Sequence, residues 1–329
     1  MAKIRGTSGR DKLTGKSGAD QISGLSGDDR LYGKSGNDKI DGGAGHDRIW
    51  GGNGNDAIKG GSGNDTALGD AGNDKIYGGT GGDILSGGTG NDLILGEANA
   101  DEIRGGYGLD TLDGGAGDDQ IYGDAGHDTI TAGEGTDVVF GGMGNDTIDG
   151  GGLNDELHGE DGDDTITDSS SHSNLLVGGE GNDVITASGS ATGILVFSDL
   201  EGEAGNDHLV SLAGNSLLNG DIGADTLNGG VGSDTMQGGV DTDIDVFVFN
   251  DGDGTFNSFG NGQYDDQILE FTDGTDVIDL TGLATGAQNF AALVITNDGT
   301  GNTIVNYGSG SFLIDGVLAG SLSDLDFRF

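Results

Sequence analysis

An all-β fold is what this sequence predicts: a right-handed parallel β-roll, a β-solenoid with two nonapeptides per coil, closed by a β-rich C-terminal cap. Three observations predict it. A nine-residue pattern runs without a register slip from Gly6 to Thr167, giving 18 consecutive nonapeptides, and a fixed short period signals a solenoid. Within each nonapeptide the sixth residue is Asp and the eighth is aliphatic, from Leu13 and Ile22 to Ile166, with Ala67 the one small residue. Beyond residue 240 the pattern gives way to alternating apolar segments, and nine of the eleven Phe lie there.

The segment GGTGNDLIL (87–95) shows what one repeat does. Glycine tolerates positive φ and close backbone approach, so GGTGND builds a tight turn. Position 1 is Gly except at Ala132, and position 4 is Gly except at Asn99 and Leu153. The LIL that follows reads as a three-residue strand with position 8 inward and positions 7 and 9 outward. Turns 18 residues apart then stack about 4.8 Å apart. A core of one aliphatic per nine residues is thin, and a column of carboxylates adds repulsion. The roll is therefore expected to fold only with a bound cation. Turn carbonyls and carboxylates are the hard oxygens that Ca²⁺ prefers. Eight gaps on each of two edges leave room for about 16 ions.

This repeat resembles the G-G-x-G-x-D-x-U-x nonapeptide of the RTX (repeats-in-toxin, hemolysin-type) calcium-binding family. The likeness resumes in GGEGNDVIT (178–186), GEAGNDHLV (202–210), GDIGADTLN (220–228) and GGVGSDTMQ (229–237). By that resemblance, the metal ligands are turn carbonyls and the sixth-position carboxylates of Asp11, Asp20, Asp29, Asp38, Asp47, Asp56, Asp65, Asp74, Asp83, Asp92, Asp101, Asp110, Asp119, Asp128, Asp137, Asp146, Asp155 and Asp164. Asp183, Asp207, Asp225 and Asp234 continue the set, while Ser216 stands where Asp is expected.

Three regions follow: a regular roll over 1–167, an irregular continuation with Ser-rich insertions over 168–240, and a cap over 241–329. The insertions carry LLV (175–177) and ILVF (194–197). The cap carries DVFVFN (245–250), QILEF (267–271), DVIDL (276–280), NTIVNY (302–307) and SFLIDGV (311–317), with YGSGS (307–311) reading as a hairpin turn. The stretch SDLDFRF (323–329) resembles the uncleaved signals read by type I secretion systems, and MAKIRGTSGRD lacks the apolar run of an ordinary signal peptide. A secreted, extracellular or cell-surface location is expected.

Charge narrows the partners. The net charge of −44 repels nucleic acid, and the apolar runs are too short for a transmembrane helix. The charge is uneven: residues 1–104 hold 12 Lys/Arg against 16 Asp/Glu, and residues 105–329 hold one against 41. No Cys is present, which excludes disulfides and thiolate metal sites.

Searching for chemistry yields little. GRDKLTGKS (9–17) has five residues before GK, one too many for a phosphate loop, and is two nonapeptides joined. DTDID (241–245) starts like an EF-hand but has Gly252 at position 12. The five His are scattered, with His46 and His127 in the variable fifth position and expected to be solvated. The Asp periodicity leaves no pair for glycosidase work. Ice binding would need flat Thr and Asn ranks at positions 3 and 5 of one edge, and position 3 shows no such rank on either edge. No enzyme activity is expected.

One outer face carries Lys12, Arg30 and Arg48 at position 7 beside Tyr32 and Trp50 at position 9. Basic and aromatic groups together suit an anionic polysaccharide or lipid headgroup, or the acidic end of a second copy; equally, wide outward side chains shield the backbone and improve solubility. The expected role is a structural protein that self-assembles into a surface layer, filament or matrix. The alternative is a calcium-dependent adhesin for anionic polysaccharide or lipopolysaccharide. An accessory module of a secreted enzyme is a third reading.

Overall fold

A computed structural model describes residues 1–188, 197–250, 266–272, 275–282, 293–297, 301–306 and 311–329. These residues contain strands and turns and no helix. They form two compact units, Met1–Asp161 and Gly162–Phe329.

In the first unit, the strands β1 (Lys3–Arg5), β2 (Lys12–Thr14), β3 (Gln21–Ser26), β4 (Arg30–Ser35), β5 (Lys39–Ala44) and β6 (Arg48–Asn53) set the pattern for the rest. β1 pairs with β3 and β3 with β5, in parallel, on one side; β2 pairs with β4 and β4 with β6 on the other. Partners are 18 residues apart, as Leu31↔Ile49 and Ile40↔Ile58 show, so two nonapeptides make one coil of a parallel β-solenoid. From β3 onward the strands are six residues or more, twice the length that the apolar triplet suggests. The ladder continues through positions 1 to 3 of the next repeat, because parallel pairing uses backbone groups and does not need apolar side chains there.

Alternation does the rest. In β4 the pattern puts Leu31 and Gly33 inside and Arg30, Tyr32 and Lys34 outside. The eighth-position side chains from Ile22 to Leu157 are buried in a single file, Ala67 included. Each Ile, Leu or Val among them adds about 1.5–3 kcal/mol of burial.

The second unit repeats this plan with interruptions. One parallel sheet runs from Thr165–Asp168 through Val184–Ala187, His208–Ser211, Thr226–Asn228, Val246–Asn250 and Val277–Gly282 to Phe327–Arg328. The other runs from Leu175–Glu180 through Phe197–Ala204, Asn215–Asn219, Thr235–Gln237 and Asp266–Leu269 to Ser311–Ile314. Thr303–Asn306 then pairs antiparallel to Ser311–Ile314, as the hairpin reading of YGSGS requires, although residues 307–310 of that turn lie outside the described residues. So does ILVF (194–197) but for the backbone of Phe197. Aromatic rings join the aliphatics in this core: Phe247, Phe249 and Phe312 are fully buried, and Phe249 stacks on Phe312 with centroids 4.3 Å apart.

Candidate metal centre

The turns hold the site. Position 6 closes each turn, and its carboxylate folds back inside the coil: Asp29 to Asp155 are all at most 4 % exposed. Oδ1 of each accepts the backbone N–H of the Asp one coil earlier. Asp47 N–H donates to Asp65 Oδ1 at 2.7 Å, and Asp65 N–H to Asp83 Oδ1 at 2.7 Å. The ladder recurs on both edges from Asp11 to Asp155.

The second oxygen has no such donor. From Asp29 through Asp137, and at Asp183, Asp207 and Asp225 in the second unit, Oδ2 is buried without a hydrogen-bond partner. A buried anionic oxygen left unsatisfied is expensive unless a cation meets it. Burial pushes the carboxyls of Asp56, Asp65, Asp92, Asp101 and Asp119 up to about 7, outweighing the backbone N–H bond that lowers them.

Glycine makes the room. A Cβ on Gly60, at position 1, would lie 2.5 Å from Asp65 Oδ2 and 2.6 Å from the carbonyl oxygen of Gly78. Oxygens from two adjacent coils therefore converge over a residue that must lack a side chain. Position 2 adopts positive φ, as at Gly61 (119°), and the few other residues found there, such as Leu25 and Lys34 (both 83°), accept the same conformation.

The first two repeats differ. Thr7 and Lys16 occupy position 2 without positive φ, and their N–H groups donate to Oδ2 of Asp11 and Asp20, each at 2.6 Å. Asp20 is held below the usual carboxylate range by the N–H groups of Ala2 and Lys16.

Sequence reasoning missed three members of the ladder. Asp225 N–H donates to Asp245 Oδ1 at 3.0 Å, Asp234 N–H to Asp266 Oδ1 at 3.0 Å, and Asp245 N–H to Asp276 Oδ1 at 3.2 Å. Each precedes an apolar residue two places on (Phe247, Ile268, Ile278), which was the available signal. Asp245 thus belongs to the ladder and not to an EF-hand start. Ser216 keeps the backbone half of the pattern, its N–H donating to Asp234 Oδ1 at 2.8 Å. His46 and His127 are not merely solvated: their Nδ1 atoms accept the N–H of Asn64 at 2.8 Å and of Asn145 at 2.6 Å.

Among the described residues, no three His, Cys, Asp or Glu side chains form a metal cage of their own. A cation at these turns would rest on one or two carboxylates plus main-chain carbonyls, an all-oxygen donor set that suits Ca²⁺ and disfavours softer metals.

The candidate outer face is ordered. Tyr32 and Trp50 stack with centroids 4.7 Å apart and planes 4° from parallel, and Lys12 Nζ lies 5.4 Å from the Tyr32 centroid. Arg30 and Arg48 are exposed and in register, beside a 350 Å³ groove that they line with Arg10, Asp28 and His46.

Fold and turn together define a calcium-binding repeat solenoid. The model of the RTX calcium-binding nonapeptide repeat matches in overlapping windows from residue 5 to residue 191 and again over 200–244. The chain belongs to that family. No curated protein sequence matches it. Among solved structures it is similar to the AlgE6R3 subunit of the Azotobacter vinelandii mannuronan C5-epimerase, at 24% identity over 54% of this chain and 78% of that one, with a TM-score of 0.27. It is similar to the extracellular lipase LipA of Serratia marcescens, at 19% identity over 64% of this chain and 45% of that one, with a TM-score of 0.25. It is also similar to a hyperactive, Ca²⁺-dependent, β-helical antifreeze protein from an Antarctic bacterium, at 20% identity over 82% and 83% of the two chains, with a TM-score of 0.37.

Proposed function

We propose that this is a secreted protein that folds on meeting extracellular calcium and then serves a structural role by self-assembly. The observation that carries the calcium part is the file of buried Oδ2 atoms with no donor, one per turn from Asp29 to Asp137. These carboxylates, with the carbonyl oxygens of the facing turn, hold the ions, and Asp245 extends the set. At Asp11 and Asp20 the second oxygen instead accepts the N–H of Thr7 and of Lys16. Calcium supplies the charge that the buried carboxylates lack and so contributes folding free energy. Export by type I machinery, with SDLDFRF (323–329) as its signal, is part of the same reading.

Self-assembly rests on the uneven distribution of charge, with 12 of 13 basic residues within residues 1–104. Negative-stain electron microscopy with light scattering, in chelator and then in millimolar calcium, tests it. Ordered assemblies that need calcium support the role; compact monomers in calcium remove it. A second reading, an adhesin for anionic polysaccharide, is favoured by the Tyr32–Trp50 stack beside Lys12, Arg30 and Arg48. Loss of glycan-array binding on Trp50→Ala would support that reading, and no binding by the parent chain would end it.

A further inference from the structure

The outer face that carries Tyr32 and Trp50 has a second aromatic stack further along the same unit. Tyr122 stacks on Phe140 with centroids 5.4 Å apart, and Phe140 on His158 at 4.9 Å. A 260 Å³ groove beside it is lined by Asp124, Met143, Glu160 and Asp161 together with the two rings. One face therefore holds a basic aromatic patch and a second aromatic patch rimmed by Asp124, Glu160 and Asp161, with Arg104 over the Tyr122 ring at 4.1 Å.

Their placement follows a rule. In-register pairing puts Lys12, Arg30, Arg48, Thr66, Ile84, Glu102, Gln120, Val138 and Glu156 in one row, one per coil. Cations occupy its first three places, Glu156 its last, and Ile84 its middle. Ile84 is 50% exposed, unusual for isoleucine in a row of polar neighbours. In the row beside it the two aromatic pairs are evenly placed about Ser86, although Leu68 stands on one side of it and Arg104 on the other. Tyr32 and Trp50 stand three and two coils before Ser86, and Tyr122 and Phe140 two and three coils after it.

Reversing the coil order thus exchanges the two patches. A second copy laid face to face and antiparallel, about a twofold axis along the strands at Ile84 and Ser86, places Tyr32 and Trp50 opposite Phe140 and Tyr122. The same operation sets Lys12 opposite Glu156. We propose that this face is an isologous interface between two copies of this chain, with its axis at Ile84. Such an interface is self-complementary and closes as a dimer.

Charge argues for an occupant of this kind. Lys12, Arg30 and Arg48 lie side by side in register, and among the described residues none is in a salt bridge. Like charges directly opposite on neighbouring strands destabilise a sheet. Glu156, 3.0 Å from His158 of its own chain, answers Lys12 from a second copy, while Arg30 and Arg48 fall opposite Val138 and Gln120 and keep Asp28 beside them. Size is adequate: nine coils at about 4.8 Å by six residues at about 3.3 Å give roughly 850 Å², close to the roughly 800 Å² per partner of a stable interface.

The inference rests on the self-assembly reading above and names its contact. The test uses the calcium-loaded chain and two charge variants, Lys12→Glu and Glu156→Lys, each of which reverses one side of the Lys12–Glu156 contact that the twofold makes twice. Sedimentation should show a dimer for the parent, monomers for each variant alone, and a restored dimer when the two are mixed, because the mixed pair regains both contacts. Circular dichroism in calcium confirms that each variant folds. The chain has no Cys, so Ile84→Cys at the axis should oxidise to a covalent dimer. A parent that stays monomeric overturns both the dimer and the self-assembly reading. A parent that associates, with variants that associate equally well or a mixture that stays monomeric, overturns this interface and leaves self-assembly standing.

Discussion

The backbone N–H of Asp47 donates to Oδ1 of Asp65 at 2.7 Å, and Oδ2 of the same Asp65 carboxylate is buried with no donor. One side chain therefore does two jobs. Its first oxygen ties adjacent coils, and its second presents a negative charge that the protein leaves uncompensated. Asp65→Asn separates them, since an amide oxygen can keep the N–H bond. In calcium the variant should bind at least one ion fewer by titration calorimetry. It should also lose about 1.5–3 kcal/mol of stability, the range for a charged interaction removed. Asp11→Asn, whose Oδ2 already accepts the N–H of Thr7, should leave the stoichiometry unchanged. An equal loss at Asp11 would refute the distinction.

The pH dependence follows from the same burial. The carboxyls of Asp56, Asp65, Asp92 and Asp119 sit at about 7 in the folded chain against 3.8 for an ordinary Asp. A group raised in the folded state binds more protons there than in the unfolded chain. Its stabilising effect is complete below the unfolded value and is lost as pH rises through the folded one. The metal-free chain should therefore be most ordered near pH 4 and unfold between pH 4 and 7. Far-UV circular dichroism on dialysed protein checks this. Protons and calcium each favour the folded form over an unfolded chain whose carboxyls stay ionised above pH 4, so the calcium needed for half-folding should fall as pH drops below 7. A midpoint that is flat from pH 8 to 5.5 would refute the burial argument.

How much of this was legible depends on what sets each feature. The 18-residue stacking and the burial of Ile40, Ile58 and Asp65 follow from a period that no insertion disturbs. Asp245, Asp266 and Asp276 were hidden because inserted residues break the count of nine, although the Asp and the apolar residue two places on are intact. Local sequence also cannot reveal the sense of the position-2 peptide. The tetrapeptide GKSG occurs at 15–18 and again at 33–36, yet Lys34 has φ of 83° and Lys16 is not in that region. The N–H of Lys16 donates to Asp20 Oδ2, whereas Asp38 Oδ2, in the Lys34 turn, has no donor. Residue type at position 2 therefore does not decide which carboxylates are left open.

Glycine at position 2 invites a direct test. Gly61 has φ of 119°, and a Cβ there would run into the carbonyl oxygen of Gly43. Leu25 and Lys34 show that another residue is accommodated by moving φ to 83°. Gly61→Ala should therefore fold, at a cost of about 1–2 kcal/mol for an L-residue in that region. Calorimetric melting in saturating calcium measures it. Failure to fold would mean that these turns cannot relax as the Leu25 and Lys34 turns do.

Calcium withdrawal can be followed from one place on the coil. Trp50 is the only Trp of the chain, and its ring lies flat on Tyr32, 4.7 Å away. That stack exists only when Tyr32 and Trp50 face each other in register across β4 and β6. Chelation should red-shift the Trp50 emission and abolish the β signal in circular dichroism at the same free calcium, because the roll has little core to hold it without ions. Tyr32→Ala should weaken the emission change and lower stability in calcium by about 0.5–1.5 kcal/mol, the worth of an aromatic pair, while the β signal still appears with calcium. If the Trp50 emission were unmoved by chelation while the β signal vanished, the stack would not depend on the roll, and the outward row that orders this face would need another cause.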